Sequence, residues 1–205
     1  MATAVPRASA PAPLAASARR ALRLFRRLGF EYACYHVYSL PLDAPRTPIP
    51  LPASYRFAEL TIEDVHASSV EALRDCDAYA GRDAHVFGVF GADGTLACVQ
   101  CIWYGERYAA QAYWPIERNA AVSVHLVTAP EQRNKGFATL VKEYSAVHLR
   151  EAGFKRLYSR IWWTNAPSLR VSEKAGWARV GTLVELKLPA RGKPVVLSFR
   201  RGRSK

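Results

Sequence analysis

VTAPEQRNKGFATLVKEYSAVHLREAG, residues 127–153, reads as the end of a strand, a tight loop and a helix. Pro130 stops the strand, because proline has no N–H to give to a ladder. Gly136 and Ala138 leave almost no side chain over the backbone where the helix begins. Phe137, Leu140, Val141, Tyr144 and Val147 then recur at helical spacing, and Gly153 follows as a stop. A strand feeding such a turn leaves bare N–H groups and the positive end of a helix dipole facing outward. Arg133 and Lys135 add full charges there, and the arrangement suits a phosphate or pyrophosphate. Many basic strand–turn–helix units hold no phosphate, and this loop is neither G-x-x-x-x-G-K-[ST] nor G-x-G-x-x-G.

The spacing is more specific than the chemistry. Arg133-x-x-Gly136-x-Ala138 after Pro130-Glu131 resembles the acetyl-CoA pyrophosphate loop, R/Q-x-x-G-x-G/A, of the GNAT (Gcn5-related N-acetyltransferase) superfamily. Downstream, Asn165-Ala-Pro-Ser168-Leu-Arg-Val-Ser172-Glu173-Lys174-Ala-Gly176-Trp177 is similar to that family's N-x-x-[AS]-x-x-x-[YS]-E-K-x-G-[FW] segment. The two motifs occur in order, separated by one helix and one strand, and the resemblance covers Tyr55 onward.

The resemblance implies a single acyl-CoA N-acyltransferase domain over residues 54–205. Its fold class is α/β (α+β), with a mixed central sheet and helices on both faces. It also implies an N-acetyltransferase that uses acetyl-CoA as co-substrate and moves an acetyl group to a primary amine by direct attack on the thioester. The main chain of Leu126, Val127 and Thr128 would run beside the pantetheine arm. The N–H groups of Asn134, Lys135, Gly136, Phe137 and Ala138, with Arg133, would hold the pyrophosphate. Asn165 and Ser168 would reach the cofactor from the second strand, Asn165 also being a helix cap. The acceptor could be a small amine, an amino sugar, an amino acid or a protein N-terminus, and fold does not decide among them. A homodimer is compatible with this reading.

The chain departs from the family where protons move. Many members carry a Tyr general acid seven residues after the Asn; here that position is Ser172, a weak acid. Some carry a Glu base five residues before the Asn; here it is Arg160, which cannot act as a base at pH 7. Strand alternation puts Tyr158, Arg160 and Trp162 on one face, and Arg160 there suits an acceptor with a carboxylate or phosphate, unless a nearby acid pairs with it. His125 is the other catalytic candidate, an imidazole on the strand before the loop, although Val124 and Leu126 flank it. Trp103, Tyr104, Tyr113 and Trp114 are candidate pocket aromatics or ordinary core. The missing Tyr and Glu favour the rival reading, a non-catalytic acyl-CoA-binding or interaction protein.

Length and composition agree with one domain. The chain has 205 residues and is 50% hydrophobic. No apolar stretch is long enough to span a membrane. The net charge of +12 sits in the ends: residues 1–30 carry +6, residues 187–205 carry +7, and the body is close to neutral at −1. A specific nucleic-acid partner is therefore not expected, since basic ends more often solubilise. Cys98-Val-Gln-Cys101 has metal-like spacing, but an odd offset in a strand points the thiols to opposite faces. Free, buried cysteines in a reducing cytoplasm are the expected state, with no metal site.

The remaining elements follow from local pattern. Residues 1–18 read as a disordered tail of Ala, Pro and Ser. Residues 19–53 read as a basic amphipathic helix (19–28), an extra aromatic strand (31–42) and a Pro-rich connector (43–52). The Arg-rich start also resembles an organelle transit peptide, and a plain tail is the preferred reading. Strands are expected at 55–60, 85–90, 95–104, 121–128, 155–163, 180–188 and 195–200. Thr61-Ile-Glu-Asp64 opens a helix running to Leu73, with a further helix unclear within 71–82.

Overall fold

The structure is a computed structural model and describes residues 31–187 and 194–201. The expected tail (1–18) and basic helix (19–28) lie outside the described residues. Contacts divide the described chain into a large unit, residues 34–184 and 196–201, and a small one, residues 31–33, 185–187 and 194–195. In the small unit Lys187 Nζ lies 3.2 Å from Glu31 Oε2.

Eight strands form one sheet: β1 (Glu31–Pro41), β2 (Arg56–Glu59), β3 (Ala84–Phe90), β4 (Leu96–Trp103), β5 (Ala120–Thr128), β6 (Arg156–Trp162), β7 (Ala178–Lys187) and β8 (Val195–Arg200). Their order across the sheet is β2-β3-β4-β5-β6-β1-β7-β8. The neighbours from β2 to β5 are antiparallel. β5 and β6 are parallel. Such a pair needs a crossover, and helix Phe137–Glu151 provides it. β3 and β4 close on a tight turn, where Gly94 takes φ +76 and Gly91 N–H donates to Thr95 O. The extra strand is not an edge addition: β1 pairs antiparallel with β6, Leu40 opposite Leu157 and Val37 opposite Arg160.

Five helices accompany the sheet among the described residues: α1 (Ile62–His66), α2 (Glu71–Arg74), α3 (Gly105–Ala109), α4 (Phe137–Glu151) and α5 (Ala166–Lys174). The two sheet faces are covered differently, as strand alternation requires. Phe87, Cys98, Ile102, Ala121 and Leu157 pack with Leu140, Val141 and Leu149 of α4. Val86, Val99 and Cys101 pack on the opposite face with Val65, Leu73 and Cys76. Cys98 and Cys101 thus face opposite ways, and all four cysteines are unpaired.

Three local readings need correction. The helix expected from Thr61 to Leu73 breaks after His66. Its capping box is intact, Asp64 N–H donating to Thr61 Oγ1 and Thr61 N–H to Asp64 Oδ2. At the break Ser68 Oγ accepts Val70 N–H at 3.2 Å, giving the backbone a non-helical alternative. Helix α3 was not expected, because its cap is remote: Asp83 Oδ2 accepts Glu106 N–H at 3.0 Å. The buried stripe of α4 is also turned from the apolar one, taking in Lys142, Ser145 and Ala146. Ser145 meets a polar patch of the sheet, donating to Gln100 Oε1, and Gln100 Nε2 donates to Ser123 Oγ.

The Pro-rich connector is tied down across α4 and α5. Ile49 N–H donates to Glu143 Oε2 and Leu51 N–H to the Tyr144 hydroxyl. Arg46 Nη2 donates to Ala175 O, one of the carbonyls that end α5 without an intrahelical partner.

Candidate functional site

β5 and β6 stay paired from Ala120 opposite Arg156 to Ser123 opposite Ser159, and no further. The cause on the β5 side is a bulge. Cys101 pairs with His125 and Ile102 with Ser123, so Val124 has no partner on β4 and the strand bends there. On the other side β6 continues along β1, with Trp162 opposite Tyr35. The two strands therefore diverge, and the edge of Val124–Thr128 that faces β6 lacks a strand partner. A cavity of about 150 Å³ lies in the fork, lined by Ser123, His125, Leu126, Lys142, Ser159, Arg160, Trp162, Asn165, Ser168 and Ser172.

β5 then runs into the turn predicted from the sequence. Pro130–Gln132 makes one 3₁₀ turn, and Asn134 (φ +62) and Gly136 (φ +86) are both left-handed. Thr139 and Leu140 N–H groups donate to Gly136 O. The N–H groups of Phe137 and Ala138 precede the first intrahelical donor, Thr139, which leaves them available at the positive end of α4. A side chain built on Gly136 would meet no protein atom within 4 Å, so the space over the turn is open. Arg133 and Lys135 are exposed beside it. Lys135 Nζ donates to Gln132 Oε1 at 2.9 Å and Arg133 Nε to Thr128 O at 3.4 Å. Leu126 and Val127 alternate into the two cores, and the Thr128 hydroxyl contacts the Cys98 thiol.

Asn165 caps α5, its Oδ1 accepting Ser168 N–H at 3.3 Å, and both residues also border the fork. Ser172 is fully buried at the fork, and its hydroxyl has no hydrogen-bond partner. The turn and the fork thus share one strand, β5. Residues proposed from the motifs are brought together there from three separate segments. Buried, unpartnered polar atoms at the fork are what a polar ligand would satisfy, so the residues fit the acetyl-CoA that the motif suggests.

Sequence pattern does not single out Lys142. It lies on α4 with 2% exposure, its Nζ has no hydrogen-bond partner, and it sits 3.8 Å over the Trp177 ring. Burial pulls its pKa down to about 7. A lysine beside the apolar stripe of an amphipathic helix reads as solvent-facing, so periodicity hides it.

A second cavity, of about 340 Å³, has a different character. Tyr79, Trp103, Tyr108 and Tyr113 line it, with Gln111, and it shares Val124 and Arg160 with the fork. Arg160 lies over the rings of Tyr113 (4.4 Å) and Tyr35 (4.8 Å). Trp162 meets Tyr35 edge-on at 5.3 Å. Of the four aromatics expected in a pocket, only Trp103 and Tyr113 line it. Tyr104 packs against His85 and Phe154, and Trp114 is buried with Val37 and Leu183. Tyr79 and Tyr108 come from short helical turns whose aromatics carry no periodic signal. The bulge carries His125 to this side of the sheet, where its ring stacks on Tyr79 at 4.6 Å, and Tyr79 rather than His125 forms the cavity wall.

No protein-family model matches the sequence, and no curated protein matches it. Solved structures do. A GCN5-related N-acetyltransferase from Sphaerobacter thermophilus matches with a TM-score of 0.55 at 14% identity, over 91% of this chain and 58% of that one. A tandem GNAT protein from the clavulanic acid biosynthesis pathway matches with a TM-score of 0.54 at 18% identity, over 96% of this chain and 63% of that one. The chain therefore spans about three fifths of the length of these matched structures. At such identities the likeness is one of architecture, and it agrees with the mixed sheet and its helices: the chain has the fold of the GNAT acetyltransferase superfamily.

Proposed function

We propose that the protein is an acetyl-CoA-dependent N-acetyltransferase acting on a primary amine. The observation that carries this reading is the meeting of two unlike cavities at Val124 and Arg160, where β5 and β6 part. One lies along β5, the strand that leads into the turn at the start of α4, and the other is aromatic. Two substrates entering from opposite faces would touch at that junction, and holding them together is itself worth several kcal/mol.

Acetyl-CoA would supply an activated acyl group. Arg133 and the N–H groups of Asn134–Ala138 would hold its pyrophosphate. The β6-facing edge of Leu126, Val127 and Thr128 would line its arm, and Asn165 and Ser168 would border it. The acceptor amine must be neutral when it attacks. The aromatic cavity favours that, because burial disfavours a charged ammonium. His125 or water would take its proton. The unpaired cysteines suit work in the reducing cytoplasm. A panel of amines incubated with acetyl-CoA, read by release of free thiol, tests the reading.

Two outcomes are expected. Arg133→Ala should weaken acetyl-CoA binding by about 1–3 kcal/mol in calorimetry, through loss of a charge-assisted phosphate contact. Unchanged affinity would remove the turn from the site. Arg160, held between Tyr35 and Tyr113, suits an acceptor with an apolar body and an anionic group. Arg160→Ala should raise the acceptor's KM about tenfold or more and leave the acetyl-CoA KM alone. A change confined to the acetyl-CoA KM would contradict this placement.

A further inference from the structure

The acetyltransferase reading leaves the departing sulfur without a proton donor, because Ser172 stands where many members of the family have a tyrosine. The fork contains a better group. Lys142 reaches it from α4, beneath the point where Ser123 and Ser159 end the strand pairing. Its Nζ and the Ser172 hydroxyl are both buried there without a hydrogen-bond partner.

Among the described residues, nothing around Lys142 would neutralise an ammonium. From β4 it faces Cys98, a thiol pushed up to about 12 by burial and so uncharged at neutral pH. From β5 and β6 come the Ser123 and Ser159 hydroxyls, and His125 and Arg160 line the same cavity. From α5 and the segment after it come Ser172 and the ring of Trp177, whose face attracts a cation. The next residue on α5, Glu173, accepts a hydrogen bond from the Tyr38 hydroxyl at 2.9 Å. Among the described residues no carboxylate borders the fork. A buried cation without an anion is costly, and an anion formed beside it is correspondingly favoured.

We propose that Lys142 is the proton donor to the thiolate that leaves when the thioester is cleaved, an inference that rests on the acetyltransferase reading. The new bond joins the amine nitrogen to the acyl carbon. The carbon–sulfur bond breaks with its electron pair on sulfur, and sulfur takes a proton from Lys142 Nζ. The proton lost by the amine goes to water through the aromatic cavity. Lys142, left neutral, takes a proton from water when free CoA departs. Burial suits the cycle, since a lysine near pH 7 both gives and regains a proton at working pH.

The test reads turnover against pH with an amine that the panel above identifies, beside calorimetry with acetyl-CoA. The wild-type kcat should fall on the alkaline side, as Lys142 loses the proton it must give. Lys142→Met should lower kcat about 10²-fold or more and lose that alkaline limb, with acetyl-CoA affinity within about threefold of the wild type. Lys142→Arg keeps the charge but not a transferable proton, so its turnover should fall as far. A wild-type kcat with no alkaline limb, which needs no variant, overturns the proposal and leaves the acetyltransferase reading standing. So does wild-type turnover in Lys142→Arg. Failure of the wild-type protein to bind acetyl-CoA, or to release thiol with any amine of the panel, overturns that reading, and the proposal with it.

Discussion

Lys142→Met should stabilise the protein by about 2–4 kcal/mol at pH 6 and by far less at pH 10. Lys142 is buried with no hydrogen-bond partner for Nζ, and burial lowers its pKa to about 7. In the unfolded chain a lysine titrates near 10.4. Between those two values the unfolded state holds a proton that the folded state has lost, so stability rises with pH across that window. Below about pH 7 both states are protonated and the full penalty of a buried ammonium applies. Above the unfolded value neither is, and the penalty vanishes. Methionine has similar length and no charge, so it removes the penalty while keeping contact with Trp177. Urea unfolding of both proteins at pH 6 and pH 10 gives the comparison. An equal difference at the two pH values would mean that Lys142 is not buried as an uncompensated cation.

Gly136→Val should abolish acetyl-CoA binding, lowering affinity by about 100-fold or more, and should cost about 1–3 kcal/mol of stability. Gly136 has φ +86, where a β-branched residue is strained. The stability cost comes from that strain alone, since no protein atom lies within 4 Å of the added Cβ. Any crowding instead falls on whatever occupies the space over the turn. Gly136→Ala separates the two effects, because it carries most of the backbone strain and little of the bulk. It should lose similar stability and much less affinity. Calorimetry with acetyl-CoA beside urea unfolding measures both quantities. Undiminished affinity in the valine variant would show that the turn does not face the cofactor.

What the amino-acid sequence determined by itself is everything whose cause lies within a few residues. The 3₁₀ turn and left-handed Gly136, the Asn165 cap, the Thr61–Asp64 box and the β3–β4 turn follow from the residues that form them. So does the opposite facing of Cys98 and Cys101. Tertiary structure decided the rest, because the partners are distant in the chain. A strand at residues 31–42 was legible, but not its place between β6 and β7, since strand pairing is not written in either strand alone. The break at Ser68 and the helix capped by Asp83 turn on competing or remote hydrogen bonds. The bulge at Val124 opens the fork and reverses the face of His125, and simple alternation cannot foresee it. Lys142 shows the same limit: its charge marks it for solvent, yet Gln100, Ser123 and Ser145 make a polar seam under α4, and the face of the helix buried against that seam includes the lysine.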